Sequence, residues 1–309
     1  MMKTPSAILR SLSLRRIQPR AASATVAPLP ATTRFSREIT AELNTLQSIG
    51  TSGEHFMPQL LDAAITTQKI ALNSLAHASY VADVDLGPME EYLETNTDIL
   101  DACNYFVERI EDMKKYVDSL RNVARYVESN ATSRALEQLE SCHDMEKKRL
   151  KVMGKCGSYL RRTKLVHESD FGEIACGSKA MALITCSFLE HALLFDRSKG
   201  GFPMMKCHPM SCSWLSLMQD LAEGSAEKKK RYGSLVMVDL QQTVGAAREL
   251  KEQIKGKREK EIVESYVQRL ERSCRELEGG LDFIEGKVRD LYKSLVDVRM
   301  ALLGILSRA

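Results

Sequence analysis

Val263, Val267, Leu270, Cys274, Leu277, Leu281, Ile284, Val288, Leu291, Leu295, Val298, Leu302 and Ile305 follow one another in alternating steps of four and three. That spacing lays an apolar seam along one face of a single long helix. A helix of about 45 residues, rising about 1.5 Å per residue, would be roughly 65 Å long. Its seam is buried only if other helices lie along it. The expected fold is therefore all-α: an elongated antiparallel helical bundle with long heptad-patterned helices.

A second seam supports this reading. Ile99, Cys103, Phe106, Ile110, Met113, Val117, Leu120, Ala124 and Val127 keep the same rhythm. Asn130-Ala131-Thr132-Ser133 reads as the turn after it, with Thr132 or Ser133 capping a third helix. That helix carries Leu136, Leu139, Leu150 and Met153 and should fade by Lys164. Shorter helices are expected from Ser36, from Met57 or Pro58 to Val81, from Met210 to Gly224, and from Gly233 to Lys255. Gly87-Pro88 should close the connection after the second of the chain's helices. Ala180 to Leu189 is nearly unbroken apolar sequence, too short for a bilayer, which takes about 20 residues. It is read as a buried central helix, and no transmembrane helix is expected. No strand-like alternation competes with these periods.

Composition sets further bounds. Hydrophobic residues at 44% and charged residues at 28% fit a globular chain with a real core. The net charge of +3 is concentrated at the start, where Lys3, Arg10, Arg15, Arg16, Arg20, Arg34 and Arg37 precede the first acid, Glu38. The remainder is mildly acidic, so nucleic acid is not an expected partner. Residues 1–34 are read as a disordered basic segment, either a transit peptide for plastid or mitochondrion or a solvated arm that touches anionic lipid. Residues 35–309 are read as a single helical-bundle domain. The cysteines at 103, 142, 156, 176, 186, 207, 212 and 274 show no disulfide framework, and are read as reduced thiols of an intracellular protein.

The chemistry-bearing residues are weaker signals. Cys207, His208 and Cys212 form one cluster where structural zinc normally takes four ligands, so they are read as loop residues. Glu190 and His191 could exchange a proton, but the polar side of a helix accounts for them equally well. Glu140 and His143 match the Glu-x-x-His spacing of helical di-metal proteins once, without the second copy. Gly279-Gly280 and Gly286 are expected to mark close packing against a neighbouring helix. Lys228 to Arg231 and Lys255 to Lys260 are read as solvated helix ends. No phosphate loop, nucleophile elbow or dinucleotide fingerprint is present. The expectation is a non-enzyme with no catalytic, cofactor-binding or metal residues and no cofactor.

Three segments resemble the plant BYPASS1-like family: Asp98 to Phe106, similar to its Leu-Leu-Asp-Leu-Cys-Asn-x-Phe segment; Pro209 to Leu221 around Trp214; and Leu270 to Leu306 with Leu281-Asp282-Phe283. The resemblance implies a non-catalytic plant developmental regulator that limits a root-derived mobile signal restraining shoot growth. It also implies a membrane-associated or organellar protein, and the localisation expected is plastid or mitochondrion, or else the cytosol or association with the ER membrane. A helical interaction module with protein partners is the reading that follows, self-association included. An adaptor of the secretory and vesicle-tethering machinery is the alternative, and a helical-bundle enzyme the rival from another class.

Overall fold

The computed structural model describes residues 33–49, 56–78, 86–147, 169–195, 213–227, 235–256 and 258–307, all within one compact unit, Thr33–Ala309. Among the described residues there are eight helices and no strand. They are α1 Arg34–Ile49, α2 Phe56–Ala78, α3 Leu86–Glu128, α4 Thr132–Lys147, α5 Asp170–Ala192, α6 Ser213–Glu227, α7 Leu235–Lys255 and α8 Lys260–Leu306. The all-α expectation holds, with the long final helix in place. Among these residues no helix is long and apolar enough to cross a membrane.

The seam of α8 is the centre of the packing. From Val267 to Ile305 every seam residue is buried, and Val263 is partly so. The matching seam of α3, Ile99 to Ala124, is buried as well. Polar pairs along the flanks set the direction. Arg299 Nη1 donates to the Leu93 carbonyl, Lys114 meets Asp282 at 2.5 Å and Glu285 at 2.7 Å, and Arg121 meets Glu278 at 2.5 Å. Numbers rise on α3 as they fall on α8, so the two helices are antiparallel. The Arg121 guanidinium also holds the Glu278 carboxyl below its usual range.

Different helices complete the bundle at its two ends. Toward the N-terminal half of α3, α2 and α5 close a four-helix segment with α3 and α8. Toward the other end, α4 and α7 do the same. Only α3 and α8 run through both segments, which is why they are long. Gln68 meets Ser178 while Phe56 meets Phe188 edge-on at 5.3 Å, so α2 and α5 are antiparallel. Tyr92 pairs with Ser178 and Arg109 with Leu193, so α5 runs in the same direction as α3.

Helix α5 is the buried central helix that its composition predicts: its residues from Phe171 to Leu189 are all buried. Its start is capped by Ser169, whose Oγ accepts from the Gly172 N–H at 3.1 Å. Helix α1 lies against it where Gly177 leaves room. A Cβ there would stand 2.7 Å from the Phe35 ring.

Local signals shift several boundaries. Leu86 opens α3, so Gly87-Pro88 sits inside its first turn, where a missing N–H breaks no helical bond. Asn130, at φ 57°, takes the left-handed conformation after α3, which asparagine tolerates. Helix α4 begins at Thr132, with Ser133 already inside it, and its Ala135, Leu139 and Cys142 are buried. Leu150, Met153 and the expected fade at Lys164 lie outside the described residues, as do 1–32, Cys207, His208 and Cys212, and the basic run 228–231.

Candidate functional site

A bundle core that excludes water leaves its polar groups to find one another. In the first segment they do so along a chain across four helices. Gln68 of α2 donates through Nε2 to the Ser178 carbonyl at 3.1 Å and accepts from Ser178 Oγ at 2.5 Å. Ser178 Oγ lies 3.1 Å from Tyr92 Oη, and Asn96 Nδ2 reaches Tyr92 Oη and the Leu295 carbonyl of α8, both at 3.4 Å. Gln68, Ser178, Asn96 and Tyr92 are at most 1% exposed. Burial pushes the Tyr92 phenol up to about 12, so it stays protonated and bonded. Beside this chain the buried Lys179 ammonium meets Glu91 at 2.6 Å.

Carboxylates organise the other junctions. Glu146 of α4 accepts from Tyr116 Oη of α3 at 2.9 Å and from Arg248 of α7 at 2.9 Å. Burial, then the Glu146 charge, push the Tyr116 phenol far above its ordinary range. Glu173 of α5, 4% exposed, accepts from Trp214 Nε1 of α6 at 2.9 Å and from Thr33 Oγ1 at 2.5 Å. One carboxylate thus ties α6 and the residue before α1 onto the central helix.

One cluster keeps donors in reserve. Where α3 passes the end of α5, Tyr105 Oη and Arg109 Nη2 are buried without a hydrogen-bond partner among the described residues. Arg109 Nε donates to the Leu193 carbonyl at 3.4 Å, and its guanidinium lies 5.0 Å from the Phe195 ring centroid. Burial lowers the Arg109 pKa and raises that of Tyr105. Burial also lifts the Glu190 carboxyl to about 7. His191 Nδ1 sits 3.0 Å from the Ser187 carbonyl. Chemically the cluster offers two hydrogen-bond donors beside a carboxyl that titrates near neutrality.

The residues weighed from the sequence end up apart. Glu190 and His191 are partly buried in the last turn of α5, and of the two it is Glu190 whose charge reaches Tyr105. Glu140 pairs with Lys251 at 2.8 Å, and His143 with Glu146 at 3.2 Å. Among the described residues, no three His, Cys, Asp or Glu side chains converge as metal ligands would. Cys103 and Cys274 are buried in the two seams, and burial pushes the Cys274 thiol up to about 12. The close-packing reading is overturned at Gly279 and Gly286. Nothing lies within 4 Å of a Cβ added at Gly279 or Gly286, because both are on the exposed side of α8, opposite its seam. Tyr105 and Arg109 were not singled out in advance. Their only sequence signal is a polar pair one turn apart beside the apolar Cys103, Phe106 and Ile110.

The protein is thus an all-α bundle whose interior polar groups serve mainly to tie helix to helix. The family model described as Protein BPS1 matches residues 60–305, and the chain belongs to that family. No curated protein and no solved structure matches it.

Proposed function

We propose that the chain is a non-catalytic BYPASS1-like plant developmental regulator, that it limits a root-derived mobile signal restraining shoot growth, and that it acts by docking protein partners. The family match carries the reading, because it runs from inside α2 almost to the end of α8 and takes in both four-helix segments. The interior supports it as well. Gln68, Ser178 and Tyr92 spend their hydrogen bonds on one another, and Glu146 and Glu173 spend theirs on neighbouring helices, as structural groups do. Its partners are proteins, with peripheral contact to anionic membrane as an auxiliary one, and neither nucleic acid nor a cofactor belongs to the mechanism.

Grafting tests the signal. A wild-type shoot on a root lacking the protein should arrest, and the chain restored to that root should release it. A normal shoot on such a root would overturn the reading. The same restored root tests catalysis. A chain carrying Tyr105→Phe and Glu190→Gln should release the shoot as well as the wild type does. Failure of that variant, folded and equally abundant, would point to acid–base chemistry at the α3–α5 cluster.

A further inference from the structure

The side of α8 that faces away from the bundle carries a second four-and-three row, set two residues beyond the buried seam. Phe283 is its centre, 47% exposed, with Gly279 and Gly286 one turn to either side. Both glycines face open space, and a glycine is unfavourable inside a helix unless something needs the room. Nothing in the described chain uses that room.

The four-and-three spacing of the row is symmetric about a point between Ile284 and Glu285, which pairs Gly279 with Asp290 as well. Turning a second α8 end for end about that point places Phe283 opposite Gly286. It also places Glu276 opposite Lys293 and Arg272 opposite Asp297, each pairing occurring twice. Arg272, Glu276, Lys293 and Asp297 are all exposed. Arg272, Glu276 and Asp297 make no ion pair among the described residues, and Lys293 has only Asp290 of its own helix, at 3.5 Å. A parallel pairing would set Arg272 against Arg272 and Asp297 against Asp297, which like charges oppose. We propose that the protein forms a symmetric antiparallel dimer through this outer face of α8, with Phe283 of each copy seated in the notch at Gly286 of the other. Two aromatic anchors flanked by charge pairs make a small, salt-sensitive interface of the kind that exchanges readily. The inference stands independently of the functional reading above.

Sedimentation equilibrium of the full chain at low salt tests it. The wild type should be a reversible dimer with a dissociation constant of about 1–100 µM. Arg272→Glu alone and Asp297→Arg alone should each weaken the dimer by about tenfold or more, because each sets like charges face to face twice. The two changes together should restore it, since the swapped charges meet again across the axis. Phe283→Asp should abolish it. All these positions are exposed, so circular dichroism should show unchanged helix content. A wild type that stays monomeric to about 200 µM would overturn the proposal. So would single variants that dimerise normally, or a double variant no tighter than the singles.

Discussion

Where a Cβ on Gly177 would lie, the ring of Phe35 already stands, with Cε1 and Cζ both 2.7 Å away. Phe35 is 1% exposed and cannot simply swing into solvent. Gly177→Ala should therefore push α1 off α5 and destabilise the protein by about 1–3 kcal/mol, read from the denaturant midpoint. Glu190 acts in the opposite sense. Its carboxyl titrates at about 7 in the fold against 4.5 ordinarily, because burial disfavours its charge. Ionising it works against the fold, so its cost is absent below pH 4.5, grows between about 4.5 and 7 while only the unfolded chain is ionised, and is fully present above 7. Glu190→Gln should leave stability unchanged near pH 4 and raise it by about 1–2 kcal/mol near pH 8, the figure reduced for partial exposure. Equal gains at both pH values would mean the charge is not the cause. Lys179 is the buried ammonium with one partner. Glu91→Gln should cost about 1–3 kcal/mol, because the lysine stays where it is and loses its counter-charge.

At the scale of the helix, position on the seam decides the effect of a substitution. Leu281→Ala removes a side chain that is 0% exposed between helices and should cost about 2–5 kcal/mol. Leu303→Ala, on the same helix but 39% exposed, should stay within about 0.5 kcal/mol. Thermal melts of the two variants make the comparison directly. Both seams were legible because a four-and-three row of apolar residues has no other use than burial along a helix. The glycines of α8 were not, since a glycine inside a helix looks the same whether a neighbour presses on it or nothing does. Only the outward placement of Gly279 and Gly286 distinguishes these cases. Helix α5 had no reliable period, yet its all-round apolar composition was enough to place it at the centre.

For the whole molecule, two four-helix segments share α3 and α8, so neither segment can lose those helices alone. Unfolding should be a single transition. Trp214, the one tryptophan, is buried on α6 against Glu173 and reports the first segment by fluorescence, while circular dichroism reports every helix. The two curves should coincide. Leu250→Ala, on α7 in the other segment, should shift both by the same amount. Separate midpoints would show that the segments unfold independently.

Periodicity alone determined the helical class, the two long helices and nearly all the buried residues of α8, because burial of a helix face is a local pattern repeated every turn. On α3 it missed Met89, Tyr92, Asn96, Tyr116 and Val123, which are buried because that helix is covered on more than one side. The family was also legible, from Asp98 to Phe106, around Trp214, and along the last helix. What the tertiary structure decided is which residues from distant segments meet: Gln68 with Ser178, Glu173 with Trp214, Glu146 with Arg248, and Arg109 with the turn at Leu193. These pairs depend on helix direction and register. Spacing along one helix carries no information about either.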